Sequence, residues 1–295
     1  MEYCEIENHP MIINNMITFS KISDTNNFVR EQRNNGKTIG FVPTMGALHK
    51  GHLELMKRAK HENDLLVVSI FVNPIQFNNP EDLKKYPRDV NKDKELLENI
   101  GCDVLFAPTV EEMYPEKVNK RYDFGSLETV MEGASRPGHF NGVAVVVSKL
   151  FEIAQPHKAY FGEKDYQQLA IIKKLVETEQ LPVEIVPCPI VREADGLAMS
   201  SRNERLTDIE RAAAPYIYQT LKFAKKGSDT ICPGPLRQMV ANMFKSRKKF
   251  DLEYFELADD KNLQPINSWS SAPGILAFVV VKLGNVRLID NIRII

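Results

Sequence analysis

Residues 65–72 read Leu-Leu-Val-Val-Ser-Ile-Phe-Val, with Ser69 alone interrupting the apolar run. A strand covered on both faces carries such a run, whereas a half-exposed strand alternates apolar with polar. Two covered faces mean helices on either side of a parallel sheet, so this stretch points to an α/β architecture. Just upstream, Ile39-Gly40-Phe41-Val42 is another apolar segment, Pro43 and Gly46 punctuate a turn, and His52-Leu53-Glu54-Leu55-Met56-Lys57-Arg58-Ala59 opens an amphipathic helix. The unit is a strand, a tight loop, a helix and a buried strand. First-turn N–H groups of a helix lack internal partners and carry the positive end of its dipole, so a phosphate suits this position. His49 and His52 sit where that anion would lie.

The same pattern recurs along the chain. Ser23 and Asp24 predict a cap for a helix to about Asn34, and Val90 to Asn99 predicts another before the short strand Val104-Leu105-Phe106. Residues 78–93 form a polar loop broken by Pro80 and Pro87, long enough to cover a site. Val143, Val146, Val147, Leu150, Phe151 and Ala154 repeat at helical spacing, although β-branched valines favour strands. Lys158 to Phe161 is a strand, Gly162-Glu163-Lys164 a loop, and 165–177 a helix, which makes a second strand-loop-helix unit. Residues 183–186 close the sheet. Beyond Pro187 and Pro189, helices over about 208–225 and 235–245 precede strands at 252–257, 275–283 and 286–289, with Gly284-Asn285 as a hairpin turn. The expected fold class is therefore α/β, with a Rossmann-like parallel sheet in residues 1–190, of which 1–15 are an extension. Residues 191–295 are expected to form a smaller C-terminal α+β lid domain.

Charge narrows the partners. Lys and Arg total 38 against 39 Asp and Glu, so no positive field exists to hold a nucleic acid, and a small-molecule substrate fits better. Cys4, Cys102, Cys188 and Cys232 are scattered without a CxxC pair, which argues against disulfides and a thiolate zinc site and for a reducing cytoplasm. The first residues lack the basic and apolar segments of a signal peptide, and no stretch reaches membrane-spanning length.

Several side chains can carry chemistry. His49 and His52 are a hydrogen-bonded loop pair, two ligands of a zinc ion that lacks a nearby third, or donors to phosphates. Met199-Ser200-Ser201-Arg202 is a surface loop or, following Gly196, a segment that closes two hydroxyls and a guanidinium over a triphosphate. Lys164 pairs with Asp165 in solvent or, at the end of a strand, meets a phosphate. Asn73 follows a strand in the same way. Gln76 and Gln168 are uncharged forks, suited to a hydroxy acid or to tying down loops. Asp89 and Asp93 are ordinary loop acids or approach a magnesium ion.

Six blocks carry a resemblance. Pro43-Thr44-Met45-Gly46-Ala47-Leu48-His49-x-Gly51-His52, Phe71-Val72-Asn73-Pro74-Ile75-Gln76-Phe77, Tyr86-Pro87-Arg88, Arg136-Pro137-Gly138-His139-Phe140-x-Gly142, Gly162-Glu163-Lys164-Asp165-Tyr166-Gln167-Gln168 and Asp195-Gly196-Leu197-Ala198-Met199-Ser200-Ser201-Arg202-Asn203 resemble the pantothenate synthetase family, in its order. That family belongs to the nucleotidyltransferase group. The resemblance implies a homodimeric cytoplasmic ligase that joins (R)-pantoate to β-alanine with ATP and Mg2+ through a pantoyl adenylate, releasing AMP and pyrophosphate. It places Met45, Gly46, Ala47, Leu48, His49, Lys50, Gly51 and His52 along ATP, with His52 a proton donor and His49 a phosphate contact. Gln76 and Gln168 would hold pantoate, and Gln76 would also lie near β-alanine. Gly162, Glu163, Lys164 and Asp165 would meet the nucleotide, Val191 the adenine, and Met199, Ser200, Ser201 and Arg202 the phosphates. His52, His49 and Lys164 are the expected catalytic residues, and the metal ligands stay unassigned. Another small adenylyltransferase with His-x-Gly-His, or a nucleotide-binding protein without catalysis, are the rival readings.

Overall fold

The computed structural model describes residues 16–78, 80–84 and 86–295, so the expectation for residues 1–15 lies outside the described residues. The chain opens with β1 (Ile17–Phe19), α1 (Ile22–Asn34), β2 (Ile39–Thr44), α2 (Lys50–Glu62) and β3 (Leu65–Ile70). Next come α3 (Pro80–Lys84), α4 (Val90–Asn99), β4 (Val104–Phe106), α5 (Val110–Met113) and α6 (Met131–Ser135). They are followed by α7 (His139–Ala154), β5 (Lys158–Gly162), α8 (Tyr166–Thr178) and β6 (Glu184–Cys188). The remainder holds α9 (Asp208–Ala213), α10 (Tyr216–Gly227), α11 (Pro233–Lys245), β7 (Phe250–Asp259), β8 (Ile275–Leu283) and β9 (Val286–Arg293).

A six-stranded parallel sheet runs in the order β1-β4-β3-β2-β5-β6. Successive residues of a strand face opposite sides, so β2 sends Phe41 into the core beneath α7 and Val42 into the core beneath α2. β3 does the same with Val67 and Val68. This is why its run is apolar throughout. From β2 the chain adds β3 and β4 on one side and then returns to lay β5 on the other. The order therefore reverses between β2 and β5, and an open parallel sheet binds ligands beyond its carboxyl ends at such a reversal.

β7, β8 and β9 form a separate antiparallel sheet, with Gly284 at φ +58° in the β8–β9 turn. One face packs on α10 and α11 through Leu221, Leu236, Val240 and Phe244. The other gives Leu276 and Phe278 to the core of the larger sheet. The two sheets are also tied by charge. Arg287 of β9 donates two bonds, of 2.6 and 2.9 Å, to the Glu132 carboxylate of α6, and the Tyr254 hydroxyl adds a third at 3.0 Å. Burial alone would raise the Glu132 carboxyl, but Arg287, Tyr254 and Arg136 outweigh it and hold it below the usual carboxylate range.

Local differences from the sequence reading have physical causes. Helix α1 starts at Ile22 without a cap from Ser23 or Asp24, and Glu112 instead accepts the Ile22 N–H at 2.8 Å. Helix α7 forms despite its valines because nearly all of it is buried, and packing overrides propensity. The helix expected over 208–225 is broken at Pro215, which has no N–H to continue it, into α9 and α10. Residues 122–131 resolve into a 3₁₀ turn, Gly125–Glu128, and the start of α6. Edge strand β1 is too short for its periodicity to be read. Among the described residues no helix is long and apolar enough to cross a membrane, and Cys102, Cys188 and Cys232 are free thiols.

Candidate active site

A cavity of about 200 Å³ opens at the β2/β5 reversal. The β2–α2 loop and α2 supply Met45, His49 and His52, while the segment after β3 supplies Gln76. Lys164, Asp165 and Gln168 come from the end of β5 and the start of α8, and Ser200, Ser201 and Arg202 from the segment leading into a 3₁₀ helix, Ser201–Arg205. Every stretch singled out above as chemical reaches this space.

The two histidines are arranged differently from the expectation. Helix α2 begins at Lys50, so His49 is its N-cap and His52 the third residue inside. His49 Nδ1 accepts the Gly51 N–H at 3.1 Å and His52 Nδ1 accepts the His49 N–H at 3.4 Å. These imidazoles therefore take the first-turn N–H groups that were expected to be open to a phosphate. An accepting Nδ1 leaves the proton of a neutral ring on Nε2. Burial, with the Lys164 charge adding to it, lowers His49 to about 4, and burial, then His49 and Lys164, lowers His52 to about 3. Both rings are neutral hydrogen-bond donors at pH 7 in the free protein, not the positive groups the sequence suggested. Gly51 permits this packing, since a Cβ there would lie 2.8 Å from His49 Cε1 and 3.6 Å from Met199 Cβ.

The preceding loop is held from below. Gly46 and Ala47 have φ of +79° and +50°, and the carboxylate of Asp93 on α4 accepts the N–H groups of Ala47 at 2.9 Å and Leu48 at 2.8 Å. Asp93 is 2% exposed. Asp89 caps α4 by accepting the Lys92 N–H at 3.0 Å. Both acids considered for magnesium are thus employed in holding backbone, and among the described residues no group of three or more metal-ligating side chains occurs.

Gln76 presents its amide to the cavity, with Oε1 accepting from Asn73 at 3.2 Å and Nε2 pointing at the Met45 sulfur at 3.1 Å. Asn73 itself is a strut: it donates to the Gly142 carbonyl and accepts from the Tyr114 hydroxyl. His139 braces Gln76 from behind, its Nδ1 lying 2.8 Å from the Gln76 carbonyl oxygen while Arg136 meets its Nε2 at 3.2 Å. Burial and then the Arg136 charge lower His139 to about 4. Gln168 lines the cavity, whereas neighbouring Gln167 is buried and ties the carbonyls of Leu127 and Val130.

Of the remaining expected residues, Gly46, Ala47, Leu48 and Gly51 shape the histidine loop without lining the cavity, and Lys50 is exposed. Gly162 and Glu163 lead into Lys164. Val191 and Met199 lie back to back on a small hairpin, joined by a 3.0 Å bond from the Met199 N–H to the Val191 carbonyl. The sequence reading missed the apolar wall formed by Val143, Val146, Val147 and Leu150 with Phe71 and Phe161, although the helical spacing of α7 was its signal. It also gave no role to Tyr86, which lines the cavity and hydrogen-bonds Ser201.

The architecture and site have clear relatives. The family model described as pantoate-beta-alanine ligase matches residues 17–293. The chain belongs to the pantoate-beta-alanine ligase family. It is 50% identical over 281 residues to a pantothenate synthetase of Flavobacterium psychrophilum, covering 95% of this chain and 100% of that one. Against a Bacteroides fragilis pantothenate synthetase it is 52% identical over 258 residues, 88% of this chain and 92% of the relative. A crystal structure of pantothenate synthetase from Thermus thermophilus superposes with a TM-score of 0.88 at 41% identity, covering 95% and 99% of the two chains. The Francisella tularensis pantoate-beta-alanine ligase, solved in complex with beta-gamma ATP and beta-alanine, gives 0.79 at 38% identity and 94% and 97% coverage. The chain is thus an amide-forming ligase of pantoate and β-alanine.

Proposed function

We propose that the cavity at the β2/β5 reversal runs both half-reactions of this ligase, with the residues expected from the sequence in the following roles. The pantoate carboxylate attacks the α-phosphorus of ATP and pyrophosphate leaves. The β-alanine amine then attacks the acyl carbon of pantoyl adenylate, and AMP leaves with the amide bond formed. The observation that carries this reading is the convergence of two fixed Nε2–H donors, Lys164, Arg202 and two hydroxyls on one cavity that also has an apolar wall.

A carboxylate and a triphosphate repel, so the site must offset charge in the first step. Lys164 and Arg202 supply cations, and His49 and His52 donate from Nε2 to phosphate oxygens. Aimed donors of this kind are worth about 10²–10³ in rate each when the charge they meet grows in the transition state. Bound triphosphate raises both imidazole pKa values by its own negative charge, which returns His52 toward proton donation to the departing pyrophosphate. Gln76 and Gln168 hold the hydroxyl and carboxylate of pantoate, whose methyl groups meet the wall of α7. Gln76 also faces the incoming amine of β-alanine. Val191 and Met199 border the adenine, and Ser200 and Ser201 contact phosphates.

Magnesium neutralises phosphate charge when bound with ATP. Nucleotide sites hold it mainly through phosphate oxygens and one or two carboxylates. Asp165 is the carboxylate that lines the cavity and would serve. Residues 1–190 form the ATP- and pantoate-binding part and 191–295 a lid that shields the adenylate from water. The enzyme works as a cytoplasmic homodimer.

Pyrophosphate release from ATP and magnesium tests the scheme. Pantoate alone is expected to give a single-turnover burst that becomes sustained turnover when β-alanine is added. His52→Ala and Lys164→Ala are expected to slow the burst by about 10²-fold or more with the fold intact. No pantoate-dependent release from wild type, or normal bursts in both variants, overturns it.

A further inference from the structure

Asp290 and Asn291 are neighbours on β9 and each is 4% exposed, yet both side chains are polar. Adjacent strand residues point to opposite faces. Asn291 stands opposite Phe278 of β8, which packs in the core of the large sheet, and Asp290 stands opposite Val279, which packs in the C-terminal core. Their bonds follow the same division. Asn291 Nδ2 donates to the Glu163 carbonyl at 2.9 Å and to the Lys164 carbonyl at 3.0 Å. Asp290 accepts both arms of the Arg192 guanidinium, at 2.6 and 2.9 Å.

Arg192 in turn organises the hairpin that carries Val191 and Met199. It donates to the Gly196 carbonyl at 3.1 Å and stacks on Tyr218 with its guanidinium carbon 3.8 Å from the ring centre. The Glu193 N–H closes the hairpin on Leu197 at 2.8 Å, and Asn203 ties the following 3₁₀ helix back to Glu193 and Ala198. One strand of the small sheet therefore grips the Lys164 loop with one side chain and the base of the Met199, Ser200, Ser201, Arg202 segment with the next.

We infer that Asp290 and Asn291 are positioning residues that fix Lys164 and the residues 199–202 in register with each other across the nucleotide site. The inference rests on the ligase reading of that site, in which both segments hold ATP. A bond to a backbone carbonyl sets the loop, not the side chain, so Asn291 acts on Lys164 by fixing where its stem begins. Nothing else on β9 spans both segments: Arg287 and Arg293 reach Glu132 and Asp260, which belong to neither.

The test is single-turnover pyrophosphate release in wild type, Asn291→Ala, Lys164→Ala and the double variant. Wild-type release is measured first, and its pantoate dependence settles the ligase reading separately. Asn291→Ala is expected to slow adenylate formation about 10²-fold, the cost of a misplacement near 1 Å, and to raise the KM for ATP while that for pantoate stays at the wild-type value. In the Lys164→Ala background it is expected to cost nothing further, because the residue it positions is gone. Asn291→Asp keeps the shape and removes both donors, and it is expected to give the same pattern if the alanine variant folds poorly. Losses that multiply in the double variant, or a pantoate KM that rises with that of ATP, reveal a general structural role and overturn the inference. So does a folded Asn291→Asp protein with wild-type kinetics.

Discussion

Asp93→Ala removes the acceptor of two backbone N–H groups, those of Ala47 and Leu48, beneath the histidine loop. A buried donor left without an acceptor costs about 1–3 kcal/mol, so the pair costs roughly 2–6 kcal/mol. Ala47 at φ +50° adds about 1–2 kcal/mol of left-handed strain that the carboxylate helps to hold in place. With about 2–4 °C of midpoint per kcal/mol in a chain of this size, the thermal transition is expected to fall by at least about 4 °C. Adenylate formation falls with it, because the loop delivers His49 and His52. The alternative, that Asp93 binds magnesium, gives a different signature. A metal ligand faces its ion across the cavity, so its loss raises the magnesium concentration needed for pyrophosphate release and leaves the melt unchanged. Melting the variant and titrating its burst with magnesium separates the two. A wild-type melt with a shifted magnesium midpoint refutes the positional account.

Gly142→Ala is expected to raise the KM for pantoate about tenfold and spare that for ATP, because its Cβ would lie 2.7 Å from Gln76 Cα and 2.8 Å from the Ile75 carbonyl oxygen; equal KM values in the variant and wild type count against Gln76 as a pantoate contact. The lowered pKa values of His49, about 4, and His52, about 3, set a direction for stability. The unfolded chain takes up these protons near 6.5, so stability is level above that pH and declines as pH falls toward about 4 and then about 3. Denaturant unfolding of wild type between pH 7 and 4 is expected to show a steeper loss than a His49→Gln/His52→Gln variant, and parallel curves would exclude this origin.

Much of the architecture was legible in the sequence because it rests on local patterns. The unbroken run at β3 announced a strand covered on both sides, and the spacing of α8 and the glycine after β8 were equally direct. The site residues were legible where they follow strands, since the sheet topology brings all strand ends to one edge. Two kinds of feature were not. Asp93, Asp290 and Asn291 act through backbone groups 45, 98 and 127 residues away in sequence, and no short motif encodes such a distance. The charge state of His49 and His52 depends on burial, and it was misread because a sequence shows the imidazole without its surroundings. Helix α7 shows tertiary packing prevailing over the valines' preference for strands.

That helix has a consequence for how the site can change. Val143, Val146, Val147 and Leu150 line the cavity and also belong to the main core. A β-branched side chain in a helix has essentially one rotamer, so the wall is stiff and cannot reshape itself around a different acid. Enlarging the pocket means deleting core methyl groups, and filling it means crowding a packed interior. Selectivity for the acid and stability of the fold are therefore inherited together, and a lineage that broadened its substrate range through this wall would have to find compensating packing elsewhere first.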